Sequence, residues 1–311
     1  MSQSSFSCGP LSAASAVAEG WGTGCRCFVV DAFTAVPFGG NTAGVVLLEH
    51  DASFPDERRM QQVAAEFRYS ETAFVVPCRD GSFRTRYFTP TGEVPLCGHA
   101  TVASFGVLRR LGMTGADEVV NHTAAGDLRV TFAGPRVMMQ MARPQLLPPL
   151  SEEEQAELWR VMGVPQPAAG AHPAVVTTGL PDILLPLPDV EVLQALAPDF
   201  AALAGLNRRT QTVGVHAYAM VDDGYTAHVR NFAPLYGIDE ESATGTSNAA
   251  LAYLLYRRGK ARAGDSLAFL QGEAMGRPSE VAVEVRPAAA EVEVWVGGEV
   301  SLFCEGRLLA L

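Results

Sequence analysis

Two stretches of this chain are copies of one another, and a chain that builds one unit twice has few architectures open to it. Glu71–Pro90 (ETAFVVPCRDGSFRTRYFTP) and Val215–Pro234 (VHAYAMVDDGYTAHVRNFAP) match over 20 residues without a gap. Ala73 meets Ala217, Phe74 meets Tyr218, Arg86 meets Arg230, Phe88 meets Phe232 and Pro90 meets Pro234. Each copy then reaches a glycine, an apolar helix and a basic pair, from Gly98 to Arg109-Arg110 and from Gly245 to Arg257-Arg258. Such a duplication predicts two similar units related by a pseudo-twofold, with a cleft at their junction where ligand sites gather. Glu71 has Val215 opposite it. Symmetry accounts for the scaffold, so the unmatched carboxylate points to chemistry.

The hydrophobic pattern fills in both units. Strands are expected at 27–30 and 44–48, and a helix after Pro55 carries Met60, Val63, Ala64 and Phe67 on one face. A hairpin over 70–89 turns at Asp80-Gly81. The helix after Gly98 (ATVASFGVLRRLG) is apolar nearly all round, which marks it as buried, with strands wrapped about it. Strands at 127–132 and 136–141 and a linker marked by Pro144, Pro148 and Pro149 close the unit. The second unit repeats the order: strands at 174–178 and 183–186, a helix over 190–206, the hairpin, a buried helix over 247–256, and strands at 281–285 and 292–296. The expected fold is α+β: two similar pseudo-twofold-related domains, each a mostly antiparallel or mixed sheet wrapped around a central buried helix. Residues 1–24 read as a flexible N-terminal tail, 25–145 as the first domain and 146–297 as the second. A last strand at 299–304 leaves 298–311 available to complete the first.

Composition narrows the function. At 311 residues, 48% hydrophobic and 18% charged, the chain has enough apolar mass for two packed cores. A net charge of -11 with no basic run argues against a nucleic-acid partner. No apolar run reaches the roughly 18 residues of a membrane span, and residues 1–24 carry neither a secretory nor a mitochondrial pattern, so a cytoplasmic protein is expected. The six cysteines are scattered. Cys25-x-Cys27 has no second pair to complete a zinc site, and the spacing suits a reducing compartment. The motifs of phosphate-binding loops, dinucleotide folds, zinc proteases and serine hydrolases are absent, so no cofactor and no metal is expected.

Gly98-His99 and Gly245-Thr246 each open a buried helix. Unpaired N–H groups and the positive dipole end make such points anion sites, although a glycine there also serves a plain turn. Glu71, after Ser70 and before the apolar run Thr72–Val76, is either a solvated strand-end acid or a cleft acid with the raised pKa of a general acid/base. His99 is a candidate donor or proton shuttle, and Cys97 beside it is either an activated thiolate or a buried thiol. Of Asp239, Glu240 and Glu241, at least two read as helix-start acids, and Arg277 as a turn residue with a surface ion pair or an anion to hold.

The blocks VDAFTAVPFGGN, MQQVAAEFRYSETAFV, YFTPTGEVPLCGHAT, NFAPLYGIDEESATGTS and QGEAMGRPS, with the closing EGRL, resemble the PhzF-like (phenazine biosynthesis-like) family from about Phe28 to Leu308. That family shares its fold with diaminopimelate epimerase and proline racemase. The resemblance implies a cofactor-independent isomerase, often a homodimer, in which a glutamate moves a proton on a small carboxylate-bearing metabolite. The catalytic positions fall on Glu71, His99 and Glu241, and the substrate-binding ones on Ser70, Gly98, Gly245 and Thr246. Glu241 stands where the family has an aspartate, followed here by Ser242 instead of proline, and Gly40-Asn41-Thr42 departs from the common G-N-P. Two other readings stay open: an amino-acid epimerase using Cys97 and Glu71 as unlike bases, and a non-catalytic interaction protein that keeps the fold.

Overall fold

The computed structural model describes residues 24–164, 170, 172–289, 291–309 and 311. The tail expected over 1–24 thus lies outside the described residues except for Gly24. The first unit runs β1 (Cys25–Ala32), β2 (Asn41–Leu47), α1 (Glu57–Phe67), β3 (Glu71–Pro77), β4 (Phe83–Phe88), β5 (Glu93–Val94), α2 (Gly98–Arg110), β6 (Glu118–Thr123), β7 (Gly126–Ala133) and β8 (Arg136–Gln140). The second runs β9 (Gln145–Leu146), α3 (Glu152–Val161), β10 (Ala174–Thr177), β11 (Pro181–Leu187), α4 (Val190–Gln194), α5 (Phe200–Thr210), β12 (Gly214–Met220), β13 (Ala227–Ala233), β14 (Ile238–Glu241), α6 (Gly245–Arg257), β15 (Ser266–Gln271), β16 (Ser279–Pro287), β17 (Val292–Gly298) and β18 (Val300–Leu308).

Strand pairing repeats between the units. In the first, β1-β2-β3-β4-β6-β7-β8 are neighbours, antiparallel except for β2–β3 and β4–β6. In the second, β10-β11-β12-β13-β15-β16-β17 are neighbours, antiparallel except for β11–β12 and β13–β15. The symmetry extends to the ends: β9, following β8, pairs with β10, and β18, following β17, pairs with β1. Where the units meet, β8 and β17 run antiparallel, with Met139 opposite Val296, as a twofold between two strands requires. This seam leaves no room for a side chain at Gly297, whose Cβ would lie 1.8 Å from the Val137 carbonyl oxygen.

Each sheet curls around its apolar helix, α2 in the first unit and α6 in the second; both are buried along nearly their whole length. Gly106 lets the sheet close on α2, because a Cβ there would meet Val300 Cγ2 at 2.2 Å. The outer faces are covered by α1 in the first unit and by α3, α4 and α5 in the second. The helix expected over 190–206 is two helices: α4 ends before Pro198, and Asp199 caps α5 by accepting from Ala202 N–H at 3.0 Å. No helix among the described residues is long and apolar enough to cross a membrane.

The gapless alignment of the two hairpins is half right. Phe88 and Phe232 are equivalent, but Phe88 pairs with Thr72 while Phe232 pairs with Val215. The second loop, 221–226, is one residue longer than the first, 78–82, so β12 is displaced by one position. Ala73 accordingly packs in the central core and Ala217 in the outer one. The true counterpart of Glu71 is Gly214, not Val215. On the neighbouring strand, Ala43 pairs with Glu71 whereas Asp182 pairs with Gly214. The second unit therefore keeps an acid, moved one strand over.

Candidate active site

Strand alternation places Glu71 on the face of β3 that carries Ala73 and Val75, the face packed beneath α2. Its carboxylate meets the first turn of that helix, with Oε2 3.2 Å from His99 Nε2. Ser70 Oγ lies 3.2 Å from the same nitrogen. The other ring nitrogen, Nδ1, is approached by Asn41 Nδ2 and Cys97 Sγ, each at 3.4 Å. Asn41 Nδ2 also donates to Glu241 Oε1 at 3.0 Å and to the Ala243 carbonyl at 3.1 Å, which fixes the orientation of the amide. With both amide hydrogens so engaged, the Cys97 thiol is the donor left for Nδ1, and the ring carries its hydrogen on Nε2, aimed at Glu71. Burial pulls the imidazole below its usual range, against the smaller opposing effect of Glu71, so the ring is neutral near pH 7.

Glu241 enters from the second unit at the end of β14, which pairs with Asn231 of β13. Its Oε2 accepts from the Thr244 hydroxyl at 2.8 Å, and its Oε1 lies 3.9 Å from His99 Nδ1. Burial first, then the charge of Glu71, pushes it up to about 7. Its neighbour Glu240 turns the other way, into a two-bond pair with Arg230 at 2.8 Å each, and is structural. Cys97 is buried, and burial with the nearby Glu71 raises its thiol well above the ordinary value, so it remains a thiol that donates to His99. Among the described residues, no lysine or arginine is hydrogen-bonded to Glu71, His99 or Glu241.

The two helix starts converge on this group. Neither Cys97 before Gly98 nor Thr244 before Gly245 caps its helix with a side-chain bond, so first-turn N–H groups of both stay free for an anion. Thr178 donates to the Thr246 carbonyl at 2.9 Å, steadying the α6 turn. Gln271 accepts from the Thr244 N–H at 3.1 Å and donates to the Glu241 carbonyl at 2.7 Å.

Several of these residues escaped the sequence reading. Asn41, noted in the sequence only where Gly40-Asn41-Thr42 departs from G-N-P, joins both units. Gln271, the first residue of the QGEAMGRPS block, holds the α6 entry. Arg277 is neither a free anion ligand nor a surface pair. Its guanidinium donates to the carbonyls of Gly39 at 2.6 Å and Gly40 at 2.9 Å, and to Asp31 at 2.8 Å. With Gly40 N–H on Pro278 O, Glu280 N–H on Phe33 O and the Ser242 hydroxyl on Gly40 O, it stitches loop 33–40 of the first unit onto the second. Asp182 is also new. It is buried, accepts from the Ser247 hydroxyl at 2.6 Å and is pushed up to about 6 by burial.

This duplicated sheet-around-helix architecture is a diaminopimelate epimerase-like fold. Comparison with known proteins narrows the class. Residues 30–306 match the family described as phenazine biosynthesis-like protein, and the chain belongs to that family. An uncharacterized isomerase of Deinococcus radiodurans is 38% identical over 288 residues, covering 89% of this chain and 92% of that protein. The crystal structure of a Bacillus anthracis phenazine biosynthesis protein of the PhzF family superposes with a TM-score of 0.82 at 24% identity, covering 92% of this chain and 99% of that one. A hydroxyproline epimerase from Agrobacterium vitis shares the fold at a TM-score of 0.63 and 14% identity, covering 93% of this chain and 92% of its own.

Proposed function

We propose that this chain is an isomerase that moves one proton on a small carboxylate-bearing metabolite, with Glu71 as the group that takes and returns it. The observation that carries this reading is the contact between Glu71 Oε2 and a neutral, doubly oriented His99 at the head of α2. The Nε2 hydrogen steadies the carboxylate and aims it, leaving its other oxygen for a carbon-bound hydrogen. Glu241, near 7, is protonated in a large share of molecules at neutral pH and so can donate to a developing enolate or carboxylate oxygen. The substrate's anionic group would take the free N–H groups at Gly98-His99 and Gly245-Thr246.

The epimerase reading with Cys97 and Glu71 as opposed bases fits less well. Inversion needs one base on each face of a carbon, each within about 3–3.5 Å of it, hence roughly 6–7 Å apart. The ligand atoms of Glu71, Cys97 and His99 lie within 4.8 Å of one another, on one side. The test is hydrogen exchange: candidate carboxylates incubated in D₂O should gain one carbon-bound deuterium with the wild-type chain. Glu71→Gln should slow this by about 10²-fold or more while keeping the fold. Normal exchange by the variant would move the base elsewhere.

A further inference from the structure

Cys97 is the one nucleophilic group in the site that proton transfer leaves without a chemical task, and its surroundings suggest another. Sγ lies 3.4 Å from His99 Nδ1 and 3.9 Å from Nε2, and Nε2 lies 3.2 Å from Glu71 Oε2. A tetrahedral zinc-class ion, with bonds of about 2.0–2.3 Å, sets its ligand atoms about 3.3–3.7 Å apart. The sulfur-to-nitrogen and nitrogen-to-oxygen separations straddle that range, and all three residues fall within 4.8 Å of one another. Thiolate, imidazole and carboxylate together make a donor set suited to borderline and soft cations, one that hard, oxygen-seeking Mg²⁺ and Ca²⁺ do not favour. Once Nε2 ligates, Nδ1 must carry the hydrogen, and Glu241 Oε1, 3.9 Å from Nδ1, supplies a carboxylate on that side of the ring. Sequence spacing conceals the group, because Glu71 sits on β3 while Cys97 and His99 sit at the start of α2.

We infer that Glu71, Cys97 and His99 form a binding site for one divalent cation of the zinc class, with the fourth position open toward the helix starts. The bond-forming step is ligand exchange: the cation trades its water shell for three protein donors and one water, the thiol proton crosses the 3.4 Å to Nδ1, and the Nε2 proton passes to bulk water, leaving a thiolate and a neutral Nε2 donor. A cation held there engages the oxygen that would take the substrate proton, so the site doubles as an inhibitory one. That consequence rests on the Glu71 reading; binding itself does not.

The experiment is a titration of the full chain with Zn²⁺ by calorimetry and with Co²⁺ by absorption, in the absence of thiol reductant. The expected result is one cation per chain, with a thiolate-to-cobalt charge-transfer band and strong tetrahedral visible bands. Cys97→Ala and His99→Asn should each weaken binding by more than about 100-fold, the upper end of what loss of a mere supporting partner costs. Their folding is checked by thermal melts without metal. Cys304→Ala removes the exposed thiol of β18 and should change nothing. Wild-type spectra lacking the thiolate band, a band that survives Cys97→Ala and vanishes in Cys304→Ala, or no binding below about 1 mM, well outside the affinities of built zinc sites, would each overturn the inference. Deuterium exchange read with Zn²⁺ present separates the two ideas. Binding through Cys97 with exchange unaffected would uphold the cation site and remove Glu71 as the base.

Discussion

Replacing Glu241 by Gln should stabilise the protein, and only on the alkaline side. The carboxyl is shifted from its ordinary 4.5 to about 7, first by burial and then by the charge of Glu71. Its folded form thus holds a proton that the unfolded chain releases above pH 4.5. The sign follows: this contribution is fully present below about pH 4.5 and is lost as pH rises through about 7. A gap of about 2.5 at 1.36 kcal/mol each gives about 3.4 kcal/mol as a ceiling. The side chain keeps 20% of its surface exposed, and solvent screening brings the working figure to about 2–3 kcal/mol. Gln keeps the shape and an oxygen for Asn41, and it carries no charge to bury. At pH 8.5 the variant should melt about 4–6 °C above wild type, at about 2 °C per kcal/mol for a chain of this size. At pH 4.5 the two should coincide. Paired thermal or urea melts across that range read the difference, in which titrating groups remote from Glu241 cancel. A gain that is equal at both ends, or a loss at pH 8.5, would refute the assignment of the raised acid to Glu241.

Asp182→Asn should behave likewise with an earlier window, gaining up to about 3 kcal/mol as pH rises through about 6 and nothing below about 4, because burial is the main cause of its shift; a pH-independent change in denaturant midpoint would contradict this. Arg277→Met should lower kcat/KM for the exchange reaction by about tenfold or more through loss of the pinned loop that leads into Asn41, with the secondary structure retained by circular dichroism. Gly297→Ala should cost about 3 kcal/mol or prevent folding, since its Cβ must displace the Val137 carbonyl at the β8–β17 seam; a variant as stable as wild type would show that the seam can relax.

Much of the architecture was legible because the two apolar helices and the repeated hairpin are long, periodic signals. The one-residue slip of β12 was not, because a longer loop leaves no gap when the residues on either side are themselves alike. That slip concealed Gly214 as the partner of Glu71, and with it the displaced acid Asp182. α3 went unread although its signal was present: Ser151 and Glu154 form a capping box, each bonding the other's backbone N–H. Glu71, His99 and Glu241 could be named from motifs. Asn41, Gln271 and Arg277 could not, since each acts through partners from remote segments that only folding brings together.

Loop 33–40 and the β8–β17 seam have a joint mechanical consequence. One unit grips the other through a strand pair, and the first unit's arm is buckled to the second by Arg277, Ser242 and the backbone bonds at Pro278 and Glu280. A body fastened at two places resists opening like a jaw about a single hinge. The same two fastenings hold Asn41, from the first unit, beside Glu241, from the second, so the group between the helix starts stands assembled without a ligand to draw the units together.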